Sequence, residues 1–127
     1  MTFYNDAHEV RPELFDAEAL AIAQKIQQVN QTQMRRMFDQ IKQLQRRLEA
    51  GEEWGKINPL VRLQKAQIAY TIRRGRANNR VKEADWLNLE KFINDGIDSV
   101  KTQQDYAVFC DMMEAVYAYH YARAERI

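Results

Sequence analysis

The chain has 127 residues and carries a formal net charge of only +1 at pH 7. Its composition, 46% hydrophobic and 29% charged, predicts one globular domain over residues 1–127 and excludes a mostly disordered chain. No apolar run approaches the roughly 20 residues that a membrane span requires, so no membrane partner is expected. The first residues lack the basic and apolar parts of a signal peptide. The single cysteine, Cys110, cannot form an internal disulfide, which favours a reducing, cytoplasmic location.

The positive charge is concentrated in the middle of the chain. The 29 residues from Trp54 to Lys82 include no acid and eight cations, namely Lys56, Arg62, Lys65, Arg73, Arg74, Arg76, Arg80 and Lys82. The ends are acidic, because residues 1–18 hold five acids and one arginine, and residues 83–127 hold nine acids and four cations. Such an uneven distribution in a small protein predicts a surface that contacts a polyanion.

Apolar spacing predicts the first two helices. Residues 1–11 have no periodicity and are expected to be loose, whereas Pro12 suits the first turn of a helix whose apolar positions continue to Ile26. A second helix is predicted from Thr32 to Glu49, and Gly51 provides its C-terminal stop. Opposite its apolar stripe lies a cationic face that consists of Arg35, Arg36, Lys42, Arg46 and Arg47.

The third helix is predicted to run from about Pro59 to Arg74, after a loop over residues 52–58, with Gly75 as its stop. It is expected to be largely buried because two of its sides are apolar, with Leu60, Leu63 and Tyr70 on one and Val61, Ile68 and Ile72 on the other. A narrow third face carries Arg62, Lys65, Arg73 and Arg76, separated by the small Ala66 and Ala69. A nucleic-acid strand could approach closely along this face.

The rest of the sequence predicts two more helices. The fourth runs from Lys82 to Ile93 and is broken by Gly96, and the fifth runs from Thr102 to about Ala124. The chain is therefore predicted to be an all-α protein, a compact bundle of about five helices.

Residues that could catalyse a reaction or bind a metal are few and scattered. His8 and His120 are far apart, and His120 lies about 15 Å from Cys110 along the axis of one predicted helix. No metal-binding, phosphate-binding or catalytic motif is present. Cys110 and His120 are therefore interpreted as packing residues. The protein is predicted not to be an enzyme and not to use a metal or cofactor.

Exposed arginines at helical spacing can contact consecutive phosphates, because each planar guanidinium donates two hydrogen bonds at once. Such contacts hold a strand without reading its sequence. Two alternatives stay open: pairing of these arginines with the acidic helices, and binding of an acidic protein partner by a helical adapter. Arg74 aligns with Leu63 and Tyr70 and is expected to form a partly buried ion pair, for example with Glu114.

Three segments together resemble the motifs of one family. Residues 32–37 (TQMRRM) resemble a Thr/Ser-x-aliphatic-Arg-x-aliphatic motif, and residues 65–74 (KAQIAYTIRR) resemble a basic-x-x-aliphatic-small-Tyr-x-x-x-Arg motif. Residues 109–121 (FCDMMEAVYAYHY) resemble a Phe-Cys-x-x-Met-Glu-Ala-x-x-Ala-Tyr ending. In this order and spacing they resemble the small α-helical subunit of type III-A CRISPR effector (Csm) complexes, over roughly residues 25–124. The small subunit of the related type III-B complex is the alternative family.

The resemblance implies a noncatalytic helical bundle that binds guide and target RNA, mainly the target strand. Several copies would line the filament formed by the guide RNA and the repeating backbone subunit. Cleavage of target RNA would belong to the backbone subunit, and DNA cleavage and cyclic oligoadenylate synthesis to the large subunit. Motif positions assign RNA contact to Arg35, Lys65 and Arg74, and helical geometry adds Arg36, Lys42, Arg46, Arg73, Arg76 and Arg80. A small residue is expected where Arg73 stands, so it stays open which of Arg73 and Arg74 contacts RNA.

Overall fold

The computed structural model describes residues 1–77 and 83–124, without the side chains of residues 76, 77, 123 and 124. A short 3-10 helix, Pro12–Phe15, precedes five α-helices: α1 (Ala17–Lys25), α2 (Gln31–Glu49), α3 (Trp54–Ala77), α4 (Glu83–Asp98) and α5 (Gln103–Ala124). The predicted all-α bundle is therefore confirmed for this part of the chain. None of the described helices is both long and apolar enough to cross a membrane.

The core lies where α5 packs against α1 and α2, and α3 packs against α2 and α4. Its largest fully buried side chains are Trp86, Tyr106 and Phe109. The Tyr106 hydroxyl lies 2.7 Å from the carbonyl oxygen of Ile41 and 3.0 Å from the side-chain oxygen of Gln64. The buried ring of α5 is thereby joined to both α2 and α3, which fixes the positions of these two helices.

The N-terminal segment, expected to be loose, is instead ordered by local and long-range contacts. Phe3 is buried, and Tyr4 forms an antiparallel bridge with Val10. Between them, the Asn5 side-chain oxygen accepts hydrogen bonds from the amides of Ala7 and Glu9. An Asn side chain that binds nearby backbone amides stabilises a turn without any apolar periodicity, which is why periodicity did not reveal this segment.

Two glycines that were predicted to stop helices lie inside them. Gly75 lies within α3, and a Cβ atom there would come 2.8 Å from the Trp86 ring. Gly96 lies within α4, and a Cβ atom there would come 2.1 Å from the Phe109 ring. Both glycines permit a large ring to pack against a helix backbone. By contrast, Gly51 has a φ of 102° and follows α2, as predicted.

Helix α3 also differs from its prediction in its start and its burial. It begins at Trp54 and contains Pro59. Proline has no backbone N–H, so only the hydrogen bond to the carbonyl of Gly55 is lost, and Gly55 is exposed to solvent. It was expected to be largely buried, yet Leu63 is 49% exposed and Tyr70 is 64% exposed. This helix packs mainly on α2 and α4, so one of its apolar sides is left facing solvent.

Candidate nucleic-acid interface

Helix α2 presents its cations outward because its apolar stripe is fixed in the core. Met34, Met37 and Ile41 are fully buried. The helix starts at Asn30, whose side-chain oxygen accepts a hydrogen bond of 2.9 Å from the amide of Gln33. On the opposite side the three exposed cations are Arg35, Arg36 and Arg46. The predicted cationic face is therefore confirmed for these three arginines, whereas Lys42 and Arg47 are only partly exposed and pair with Glu114 and Glu52.

A cleft of about 430 Å³ lies between the first turns of α2 and the last turns of α3. Its walls are formed by Asn30, Gln33, Arg36, Tyr70, Thr71, Arg74 and Gly75. None of these lining residues is acidic, and two of them are arginines. We call this space the α2–α3 cleft. Guanidinium and amide groups around one concave space can donate hydrogen bonds to an anion.

The polar surface continues from the cleft along α2. Arg36 also borders a shallow surface with Asp39, Gln40, Gln43 and Arg46. The acid on this shallow surface, Asp39, lies 3.8 Å from Arg35 of the preceding turn, and both side chains are more than half exposed. An exposed pair of this kind contributes about 0–1 kcal/mol, so it does not prevent Arg35 from contacting another anion.

Two of the predicted RNA-binding lysines are paired with carboxylates of other helices. The Lys42 ammonium lies 3.3 Å from Glu114 of α5 and 6.0 Å from the centre of the Phe38 ring, and its side chain is only 19% exposed. The Lys65 ammonium lies 2.6 Å from Asp98 at the end of α4 and, by this hydrogen bond, lowers the pKa of that carboxyl. These lysines point away from the cleft and toward neighbouring helices.

Arg62 joins α3 to the end of α4. Its guanidinium donates to the carbonyl oxygens of Ile97, at 2.6 Å, and of Val100. Carbonyl groups at a helix C-terminus lack partners within the helix and carry partial negative charge, so a guanidinium there stabilises the helix end. The narrow face of α3 that was predicted to approach nucleic acid therefore begins with Arg62 and Lys65, two cations that contact α4.

The remaining predicted arginines lie toward the end of α3. Arg73 and Arg74 are exposed, and the Arg74 guanidinium carbon lies 5.7 Å from the centre of the Tyr70 ring. The expectation that Arg74 is partly buried is wrong, because α3 leaves this side open to solvent. Its suggested partner Glu114 lies 3.3 Å from Lys42. The side chain of Arg76 and the whole of Arg80 lie outside the described residues.

Buried polar groups elsewhere serve packing. His120 is buried, and its Nε2 lies 2.7 Å from the carbonyl oxygen of Val29. Because a carbonyl can only accept, Nε2 carries the proton. Burial lowers the pKa of this imidazole. Burial raises the pKa of the Cys110 thiol to about 12, which keeps it protonated and a poor nucleophile. Within residues 1–77 and 83–124, no three His, Cys, Asp or Glu side chains are grouped to hold a metal ion.

The chain is thus a small helical-bundle protein whose described surface includes a cationic cleft between two helices. A family model described as Csm2 Type III-A matches residues 9–126. The chain therefore belongs to the Csm2 Type III-A family, the small subunit of type III-A CRISPR (Csm) complexes, as its motifs indicated. No curated protein and no solved structure gives a significant match to the chain.

Four side chains of the cleft were not among the residues predicted to contact RNA: Asn30, Gln33, Tyr70 and Thr71. Asn30 lies just before the predicted α2. Because Asn is a preferred residue at a helix N-cap, the sequence itself indicated this role. Tyr70 precedes Arg74 by four residues, a spacing that places both side chains on one helix face. That signal was present in the sequence but was interpreted as packing, because an aromatic at helical spacing is usually buried.

Proposed function

We propose that this subunit is noncatalytic and binds the RNA of the complex by its phosphate backbone, mainly the target strand. The observation that carries the proposal is the α2–α3 cleft, in which Arg36 and Arg74 face one space that no acidic residue of the described structure lines. Two arginines from different helices can hold neighbouring phosphates, and neither contact depends on base identity. A subunit that serves a guide-directed complex must tolerate any target sequence, which backbone binding allows.

The proposed RNA contacts differ in how strongly each side chain is expected to contribute to binding. Arg35, Arg36, Arg46, Arg73 and Arg74 are exposed in the described structure and are proposed to make the main contacts. Lys42 and Lys65 are proposed as weaker contributors, since they are less exposed and lie 3.3 and 2.6 Å from carboxylates of other helices. Arg76 and Arg80 remain in the proposal on the basis of the sequence alone.

The partners follow from the family. We propose that several copies line the filament of guide RNA and backbone subunit, next to the large subunit, in the cytoplasm. No cofactor is required for this function. Each copy makes few phosphate contacts and binds weakly alone, whereas assembly raises the effective concentration of every contact.

Salt dependence of RNA binding tests the proposal. The full chain is titrated into labelled single-stranded RNA from about 50 to about 200 mM salt, where log affinity falls by about 0.7 per phosphate contact for each unit of log salt. The double variant Arg36→Gln/Arg74→Gln should flatten this slope by about 1.4, the sum for two contacts. The matched variant Lys42→Gln/Lys65→Gln removes the same charge outside the cleft and should change the slope less.

The result that would overturn the proposal is an equal slope for the wild type and the cleft variant, at unchanged helix content. A cleft variant that binds RNA normally but fails to bind an acidic protein would instead support the helical adapter.

A further inference from the structure

Tyr70 needs an explanation that phosphate binding does not supply. It is the most exposed of the large apolar side chains in the described structure, with 64% of its surface open. Burial of an aromatic side chain removes a large apolar area from water, and α3 has a buried side formed by Val61, Ile68 and Ile72 that this ring does not join. The exposed ring instead forms part of the wall of the α2–α3 cleft.

The neighbours of the ring are those of a stacking platform for nucleic acid. The Arg74 guanidinium lies over one face of the ring, 5.7 Å from its centre, and Arg36 lines the same cleft from the other helix. An aromatic face that is flanked by cations suits a base, because the ring stacks on the base while the cations hold the adjoining phosphates. A cleft of about 430 Å³ also lies within the size range of small-ligand sites.

A second polar side chain of the same cleft, that of Gln33, could meet a ligand if its amide turns toward it. The side-chain oxygen of Gln33 is buried and has no hydrogen-bond partner among the described residues. A buried acceptor without a partner is costly, so this amide gains free energy if it turns toward a donor. Amino groups of bases and the 2′-hydroxyl of ribose are such donors, and both are present in RNA.

We propose that the α2–α3 cleft holds one unpaired nucleotide of RNA, with its base stacked on Tyr70 and its adjoining phosphates near Arg36 and Arg74. This inference rests on the proposed RNA binding and adds the class of ligand. The nucleotide must be unpaired and unstacked, because a base inside a duplex already has both faces covered by its neighbours. Stacking accepts every base, so the contact stays independent of sequence.

The test compares three RNAs with the full chain: a short single-stranded oligouridylate, the same backbone with abasic residues, and a fully paired duplex. Tyr70→Ala should weaken binding of the oligouridylate by roughly 5- to 150-fold, as expected for the loss of one stacked base. Tyr70→Phe should bind as the wild type does. Leu63→Ala, which removes another exposed apolar side chain of α3, is the control and should have no effect.

Two further readouts separate stacking from charge. Tyr70→Ala should leave the salt slope unchanged, because a neutral ring releases no counterions. It should have no effect on abasic RNA, which offers no base to stack. Equal weakening of normal and abasic RNA, equal weakening of the duplex, or no weakening at all would each overturn the inference.

The outcome also distinguishes this inference from the function on which it rests. If Arg36→Gln/Arg74→Gln flattens the salt slope while Tyr70→Ala leaves the affinity unchanged, backbone binding stands and base stacking is wrong. If the chain shows no salt-dependent RNA binding, both are wrong. If Tyr70→Ala impairs only assembly with a protein subunit, the ring belongs to a protein interface and the inference is wrong.

Discussion

Single residues of the same charge have different roles in this chain because their neighbours differ. Arg35 of α2 is 74% exposed, whereas Lys42, two turns later on the same helix, is 19% exposed and bound to Glu114. Arg62 of α3 contacts two backbone carbonyls, whereas Arg73 of the same helix is exposed. Charge counted along the sequence therefore overstates the charge that a ligand meets.

Gly96 offers a prediction about a single contact. Gly96→Ala would place a methyl group 2.1 Å from the buried Phe109 ring, which also packs near Phe92 and Tyr106. Because the Phe109 ring is fully buried among these side chains, the added methyl group overpacks the core, and we expect the free energy of unfolding to fall by about 1–3 kcal/mol, as measured by urea denaturation. Gly55→Ala is the control, since a methyl group there meets nothing within 4 Å and the variant should be neutral or slightly more stable. Equal unfolding midpoints for both variants would refute this packing.

At the scale of an element, α5 begins with reciprocal hydrogen bonds around Asp105. The Thr102 hydroxyl oxygen accepts from the amide of Asp105, and the Asp105 carboxylate accepts from the amides of Lys101 and Thr102 and from the Tyr4 hydroxyl, the last at 2.6 Å. Burial by itself raises the pKa of the Asp105 carboxyl, but these hydrogen bonds outweigh it and the pKa lies below its ordinary value. The hydrogen bond from Tyr4 to the charged Asp105 carboxylate thus joins the N-terminal segment to α5.

The lowered pKa of Asp105 predicts how stability depends on pH. The unfolded chain binds this proton more readily, so the stabilisation is complete above the unfolded pKa of about 4 and is lost as the pH falls through the lower folded pKa. Asp105→Asn should therefore reduce the free energy of unfolding at neutral pH by about 1–3 kcal/mol, and the difference from wild type should shrink below about pH 4. Denaturation at several pH values measures this. Asp39→Asn, on the exposed side of α2, should change the free energy of unfolding at neutral pH by less than about 0.5 kcal/mol. A loss for Asp105→Asn that is independent of pH would contradict the role of the carboxylate.

Helices α3 and α4 provide the second test at this scale. Arg62→Gln removes the guanidinium that holds the carbonyls of Ile97 and Val100, so stability should fall by about 1.5–3 kcal/mol. Arg62→Lys should recover little of this stability, because the lysine ammonium lacks the planar set of N–H donors with which a guanidinium binds two carbonyls at once. Thermal unfolding measures the loss, and Arg73→Gln on the exposed side of α3 should change stability by less than about 0.5 kcal/mol. If Arg62→Gln leaves stability intact but flattens the salt slope of RNA binding, Arg62 contacts RNA and its assignment to α4 is wrong.

For the whole molecule, folding converts a nearly neutral chain into one with a cationic side. The acidic C-terminal half supplies Asp98 and Glu114, which pair with Lys65 and Lys42. The arginines of the α2–α3 cleft face a space that is lined by no acid among residues 1–77 and 83–124. The net charge of +1 therefore coexists with a local surface that suits a polyanion.

The sequence predicted features that depend on local pattern and missed those that depend on distant partners. The outward cationic side of α2 follows from a regular apolar stripe, so it was predictable. The roles of Gly75 and Gly96 depend on rings of α4 and α5 that pack against them, so a glycine inside a helix was interpreted as a stop. The exposure of Tyr70 depends on how many helices surround α3, which no spacing within α3 can reveal.

The most direct test is a structure of the assembled type III-A complex that contains guide and target RNA. We expect phosphate oxygens of the target strand at about 2.7–2.9 Å from guanidinium nitrogens of Arg36 and Arg74, within the α2–α3 cleft of each copy. A complex in which this cleft faces solvent or a protein subunit, while the RNA follows another surface of the bundle, would contradict the proposed binding of RNA by the cleft.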